Sequence, residues 1–478
     1  MGHLATLDLH TTARHTLVGA ILVGIGWLVV DYGRMLLLRR KLPPGPWPLP
    51  IVGNHFQTPS VRPWIAWEEW GRYYDSPMLT LWIGRHPRII INDAWVASEL
   101  LEKKADIFSS RPHLVVMGDA INCTTTNQTT LPYGDRWRMH RKLMQALKIM
   151  ESVNFVIPGL FLMEAIPAML HLPAWLYKLP SALRMGAAIG ARYFLMLTEE
   201  GAQSKQQSFA KHMLKSKEQL NMTDVEVAGL MGNLIGGGVD TTSSTMMSCI
   251  LALACFPEVQ RRAQDEMDRV VGHGRSPTWD NIDQGQLPYL TALVKEVLRW
   301  RTVTVLAGIP HANTKHVEYK GYHFPALTNF TGNMWAIHRN PRDFPDPDTF
   351  RPERFLGGLE NPYPNSRGSN PFGWGRRQCS GQPLAEQGLL FSLGRLIWAF
   401  DVQPGLDAKG NKSKLDIFAY TESENQRPEP FRARFTPRSD KIRRLLLDEA
   451  AEAREALRIY DGETSITMED AAQNPAMV

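Results

Sequence analysis

Pro371-Phe372-Gly373-Trp374-Gly375-Arg376-Arg377-Gln378-Cys379-Ser380-Gly381 is the stretch that decides how this chain is read. It sets one cysteine in a glycine-rich, arginine-flanked loop, just ahead of a helix-like run that begins near Gln382. A thiolate held in such a loop has the chemistry of an axial ligand to a haem iron. Backbone N–H groups left free by the glycines can hydrogen-bond the sulfur and set its electron donation. Cys123, Cys249 and Cys255 lie in no such setting and read as ordinary free cysteines of a packed interior.

Size and composition leave room for a large core. The chain has 478 residues and 44% of them are hydrophobic, which is ordinary for a globular protein. Four scattered cysteines exclude a disulfide scaffold and fit a reducing compartment. A net charge of +5, with no basic stripe interleaved with aromatics, gives no footprint for nucleic acid.

The N-terminus has its own pattern. Leu17 to Val30 is an unbroken apolar run, Met35 to Leu38 resumes it, and Arg39-Arg40-Lys41 follows. The two runs together are long enough to cross a bilayer, and the basic cluster places its own side in the cytosol. Pro43-Pro44-Gly45-Pro46-Trp47-Pro48-Leu49-Pro50 then excludes helix and central strand, so it reads as a stiff extended linker. The expected organisation is an anchor with its basic flank over 1–42, a proline-rich hinge over 43–54, a catalytic domain over 55–440, and a charged tail over 441–478. The tail is helix-prone up to Arg458 and is expected to fray beyond it.

In the middle of the chain, Thr223-Asp224-Val225-Glu226 reads as a capping box. The run that follows, Val227 to Phe256, is apolar nearly all round and predicts a buried helix closed by Pro257. Inside it stands Gly236-Gly237-Gly238-Val239-Asp240-Thr241-Thr242. Each glycine weakens a helix by about 1 kcal/mol relative to alanine, and an acid buried there adds a desolvation cost. Such a defect in a central helix points to function. Taken alone, the segment reads equally well as a kink whose threonines bond back to helix carbonyls.

Four further patterns are spaced along the chain. Glu296 and Arg299 are three apart on an amphipathic helix that follows Leu287-Pro288; alone they would be a surface ion pair of little worth. Phe350-Arg351-Pro352-Glu353-Arg354-Phe355 lies downstream. Trp137 and Arg141 are four apart in a basic helical segment. Trp335-Ala336-Ile337-His338 lies between the Glu-x-x-Arg helix and the cysteine loop.

Together these patterns resemble the cytochrome P450 family over almost the whole chain. Phe372, Gly375, Arg377, Cys379 and Gly381 match the haem-binding loop, Gly237 to Thr241 the oxygen-activation motif, and the anchor and hinge the microsomal members. The wording at Trp335–His338 and Phe372–Arg377 is similar to fungal enzymes of secondary metabolism of the O-methylsterigmatocystin oxidoreductase type. The resemblance implies a mainly α fold with small β-sheets, an N-terminal membrane helix, and haem b on Cys379. By the same resemblance Trp137, Arg141 and Arg377 face a haem propionate, and Gly237 and Gly238 leave room for dioxygen and substrate. Asp240 and Thr241 serve proton delivery to oxygen. Glu296, Arg299 and Arg354 form a structural lock. Val303, Val305 and Leu306 should present an apolar surface to substrate. Arg138, Lys142 and Arg376 would face an acidic electron donor. His113, His140 and His311 lack metal-ligand spacing and read as ordinary polar residues.

One departure stands out. Only 95 residues separate Arg141 from Gly237. The two helices the family places just after Leu147 are expected to be missing, which would leave the glycine-containing helix with a face to water. The expected function is a monooxygenase in the endoplasmic reticulum membrane, acting on a lipophilic small molecule with electrons from NADPH through a P450 reductase. A P450-fold isomerase or dehydratase that needs no dioxygen, and a haem-poor remnant, are the alternatives.

Overall fold

The computed structural model describes residues 2–121, 127, 129–140, 157–158, 160–205, 207–283, 285–407, 409–460 and 464–473. Arg141, Lys142, Leu147 and Cys123 lie outside the described residues, and so does the place expected for the missing helices. The helices used below are α1 (Gly2–Arg39), α2 (Pro63–Tyr73), α3 (Leu179–Gln203), α4 (Phe209–Leu220), α5 (Asp224–Cys255), α6 (Pro257–Val270), α7 (Pro288–Trp300), α8 (Gln382–Ala399), α9 (Asp440–Leu457) and α10 (Met468–Gln473). A four-stranded sheet, ordered β1-β2-β6-β3, joins Met78–Ile83, His86–Ile91, Asn329–Gly332 and His311–Ala312. Two antiparallel pairs account for the other strands among the described residues: the hairpin of β4 (Val317–Tyr319) with β5 (Tyr322–Phe324), and β7 (Phe400–Pro404) with β8 (Ala433–Pro437).

Helix α1 is the described helix long and apolar enough to cross a membrane, over Thr12–Arg39, and little of it is covered by the rest of the chain. The proline segment after it does not swing free. Thr80 on β1 donates from its backbone N–H to Pro44 O and from its hydroxyl to Pro43 O, at 2.9 and 2.7 Å. A Cβ at Gly45 would sit 2.1 Å from Thr80 O, so only glycine lets the linker lie this close to the strand. Arg39 adds a bond to Gly45 O at 2.9 Å. The hinge therefore ties the end of α1 to the sheet.

The main core packs α5, α6, α7 and α8 around Leu253, Met267, Leu293, Leu393 and Trp398, all inaccessible to solvent. Helix α5 starts on the capping box: Thr223 Oγ1 accepts the Glu226 N–H, and Glu226 accepts the Thr223 N–H. Glu226 also takes bonds from Arg136 and from His140, which is completely buried, and so ties the helix at 135–140 to the start of α5. Of the two expectations for α5, burial all round gives way to a helix with one face to water. Its two ends are buried, but Ile235, Val239 and Met247 along its middle are 40%, 67% and 41% exposed. No described element covers that stripe, and α5 instead takes its packing from α3, α4 and the core helices.

The tail also differs from expectation. After α9 it forms α10, which packs against α3 and buries Ala471 completely. Thr467 and Asp470 cap that helix reciprocally, each side chain accepting the other's backbone N–H.

Glu296 and Arg299 are not a surface pair: both side chains are fully buried. Arg299 donates from Nε and Nη2 to the two Glu296 oxygens at 2.8 and 2.7 Å. The same carboxylate accepts the Arg351 N–H at 3.0 Å and Arg354 Nε at 3.4 Å. Arg299 then bonds His338 O and Pro347 O. The His338 ring carries the connection on. Burial, helped by the nearby Arg299 charge, lowers its pKa to about 3, so the imidazole is neutral. Its Nε2 accepts the Asn370 N–H at 3.0 Å, which leaves the proton on Nδ1, 2.6 Å from Thr302 Oγ1. Asn370 O accepts the Gly373 N–H, and Phe372 O accepts the Cys379 N–H at 2.9 Å. A continuous line of bonds thus runs from Glu296 to the cysteine loop.

Two outcomes follow from this network. Arg299→Ala takes from a buried carboxylate the closer of its two cations, leaving Arg354 at 3.4 Å, and should lower unfolding free energy by about 3 kcal/mol in urea titrations; a loss near that of a surface pair would contradict the buried geometry. His338 is held below its ordinary value of 6.5, so the neutral ring's contribution is present above that pH and is lost as pH falls toward 3. Wild-type stability should therefore carry a proton-linked slope of about 1.4 kcal/mol per pH unit below pH 6.5 that His338→Asn lacks.

Candidate functional site

The cysteine loop is shaped by its glycines. Gly373 and Gly375 adopt φ of +75° and +55°, where a side chain is strained, and a Cβ at Gly375 would meet Leu101 O at 2.4 Å. The loop so formed brings Cys379 to the wall of a cavity of about 540 Å³, within the range of roughly 300–1,000 Å³ for cofactor and ligand sites. Its neighbours there include Phe372, Arg377, Gly381 and Gly388. Among the described residues the other two cysteines offer no comparable thiol: Cys249 is buried away from water, which pushes its pKa up to about 12, and burial also raises Cys255.

Helix α5 contributes Gly237, Gly238, Thr241 and Thr245 to the lining of the same cavity. The Thr241 hydroxyl donates to Gly237 O at 2.7 Å, so it closes the groove onto its own helix. Asp240 is not part of the lining and is not buried as expected. Its side chain is 45% exposed and lies 3.8 Å from Arg427, because one helical step turns it away from the face that carries Thr241. Gly237, Gly238 and Thr241 are thus brought to the cavity with Cys379, while Asp240 sits beside it.

Arg377 lines the cavity, whereas Trp137 is not part of the lining and reaches it only through contact with Arg377. Arg377 is buried, donates to Ser109 O and Leu131 O at 2.7 Å each, and stacks 4.4 Å over the ring of Trp137. Trp137 is 5% exposed and its Nε1 meets no hydrogen-bond acceptor among the described residues. Trp64, Trp67, Trp82 and Trp374 share this state, so what sets Trp137 apart is its stacking on Arg377 at the cavity wall, where its N–H can meet an acceptor on a bound group. Arg111 and His311 also line the cavity. Arg111 bonds Thr129 O and Pro310 O, and the His311 Nδ1 is 2.8 Å from Phe108 O. Burial, with Arg111 and Arg377 close by, holds His311 well below its ordinary pKa.

Sequence reasoning passed over Arg111 and set His311 aside as an ordinary polar residue. Neither belongs to a local spacing pattern; Arg111 reaches residues almost 200 positions away. His113 does lie on the surface, paired with Asp119. The stretch after α7 also needs correction. Val303 lines the cavity together with Thr302, Thr304 and Ala307 to Ile309. Val305 and Leu306 turn instead into a separate core with Trp64 and Trp67. The chain turns at Ala307, with φ of +58°.

The residues present fit a haem: a cysteine at the wall, small residues in the same lining, and the buried cations Arg111 and Arg377, the second stacked on the indole of Trp137. The comparisons with known proteins bear on this directly. The family model for cytochrome P450 matches residues 43–156 and 162–426. The cytochrome P450 monooxygenase yanC of Aspergillus niger is 30% identical over 87% of this chain and 93% of its own length. Cytochrome P450 monooxygenase 58 of Postia placenta is 29% identical over 89% and 94%. Tryptamine 4-monooxygenase of Psilocybe cyanescens is 30% identical over 89% and 98%. The alignment with the Aspergillus protein runs to 504 positions, more than this chain's 478, and so opens gaps opposite it. With a match that runs from the hinge to the strands beyond the cysteine loop, this chain belongs to the cytochrome P450 family and is a monooxygenase.

Proposed function

We propose that this chain is a haem-thiolate monooxygenase that inserts one oxygen atom of dioxygen into a lipophilic small molecule of secondary metabolism. The observation that carries the reading is that Cys379 shares the lining of one cavity with Gly237, Gly238 and Thr241. Haem b bound there supplies the iron at which dioxygen is activated. Cys379 would hold the iron through its thiolate, with its N–H fixed to Phe372 O so that the sulfur is aimed into the cavity. Phe372, Gly375 and Gly381 shape the loop around it. Trp137 Nε1 and Arg377, with Arg141 from outside the described residues, would hold the propionates. Arg111 and His311 add donors in the cavity lining.

Gly237 and Gly238 keep the wall of α5 low, which leaves space for dioxygen and for the substrate. The Thr241 hydroxyl, now on Gly237 O, would turn to hold a proton beside oxygen. Asp240, outside the cavity and next to Arg427, would connect that hydroxyl with solvent protons. Val303, Ala307 and Ile309 exclude water from the substrate side.

Electrons would come from NADPH through a separate reductase. Arg138 and Arg376 are exposed and both lie over Tyr133, at 5.3 and 5.1 Å from its ring, which gathers positive charge for an acidic donor. Helix α1 would hold the chain in the endoplasmic reticulum membrane by a single pass, with the catalytic domain in the cytosol.

Cys379→Ala tests the reading. The variant should keep its fold by circular dichroism, lose the thiolate-type ferrous-CO spectrum, and show no NADPH-dependent product with a reductase and candidate polyketides, terpenes or alkaloids. Retained turnover would refute the assignment.

A further inference from the structure

The cavity wall formed by Thr304, Ala307, Gly308 and Ile309 has an unusual backbone. Ala307 and Gly308 follow one another at φ of +58° and +74°. Alanine is strained in that region, so the turn does not hold itself. Its support comes from residues more than a hundred positions downstream. Thr304 and Asn425 form a β-bridge, Val305 N–H donates to Glu424 O at 3.1 Å, and Gln426 N–H donates to Val303 O at 2.8 Å. Between these bonds the Glu424 side chain folds inward and is completely buried. Its Oε1 accepts the N–H groups of Gly308 at 3.1 Å and Leu306 at 3.4 Å, one on either side of Ala307. Burial pushes its pKa up to about 7, against the pull of those two bonds. A carboxyl group is costly to bury, and this one is aimed at the two amides that bracket the strained residue.

We propose that Glu424 is a positioning residue for substrate selection: it holds the Ala307–Gly308 turn in its strained form and so fixes the shape of the cavity wall without touching the ligand. The proposal rests on the reading of this cavity as the haem and substrate site. Without the Glu424 oxygen the turn relaxes toward negative φ, and Ala307 and Ile309 shift across the wall. A bulky apolar ligand then meets a different surface, whereas a ligand no larger than the iron's own coordination position meets the same one.

The test uses the full-length holoenzyme as wild type, Glu424→Ala and Glu424→Gln. Glutamine keeps an oxygen acceptor at the same reach and removes the charge. Imidazole serves as the small probe and clotrimazole as the bulky one, each titrated by the spectral shift on binding. In Glu424→Ala the clotrimazole affinity should change by about tenfold, the size of one buried hydrogen bond, with imidazole unaltered. Glu424→Gln should restore the wild-type clotrimazole value. Equal clotrimazole affinity in wild type and Glu424→Ala would overturn the proposal, and so would parallel losses for both probes, which would mark a general structural role. Amide hydrogen exchange at Leu306 and Gly308 reads the same device without haem: protection in wild type and Glu424→Gln, and its loss in Glu424→Ala. Unchanged protection would overturn the proposal even if the wild type failed to bind haem, whereas absence of haem with the expected exchange pattern would count only against the reading of the cavity. Glu424→Asp, too short to reach both amides, takes the place of the alanine variant if that does not accumulate.

Discussion

One buried carboxylate organises the proximal half of this molecule. Glu296 lies at zero exposure and binds Arg299, Arg354 and the Arg351 amide at once. A lone buried ion of this kind is strongly unfavourable, so each partner becomes obligatory. Arg299 and His338 then pass the constraint to Asn370 and the loop that carries Cys379. The position of the thiol is thus set by a helix eighty residues earlier, through bonds that tolerate little change in length or charge. The neutrality of His338 matters in this line, because only a neutral ring can accept the Asn370 N–H on Nε2.

The other half of the site depends on α5. Its start is fixed by Glu226, which serves both the capping box and the link to Arg136 and His140. That link also steadies the helical residues 135–140, which include Trp137. The same helix exposes Ile235, Val239 and Met247 along its middle. Each large apolar side chain left in water forgoes about 1.5–3 kcal/mol of burial. The chain compensates in part with packing that α3 gives to α5, and α10 in turn braces α3.

Much of this was legible in the sequence where the pattern is local. The glycine-rich loop around Cys379, the capping box at Thr223 and Glu226, the apolar N-terminal helix and the small residues at Gly237 and Gly238 are all read within a few positions. What escaped depends on contacts that span the chain. Arg111 reaches Pro310, Glu424 reaches Gly308, and His338 connects Arg299 with Asn370. No short spacing announces such partners. Val305 and Leu306 pack with Trp64 and Trp67, partners about 240 positions earlier that no local pattern announces. Asp240 was misplaced because composition suggested a buried helix, whereas its own position on the helix turns it outward beside Arg427.

The central claim is that these distant constraints assemble a haem-thiolate site in this chain, despite its short interior. Haem content per chain, measured on the purified full-length protein together with its ferrous-CO spectrum, tests that claim most directly. The account expects one haem per chain and the red-shifted band of thiolate ligation. A chain that folds with the same helical content yet takes up no haem, or shows the spectrum of a nitrogen ligand, would contradict it.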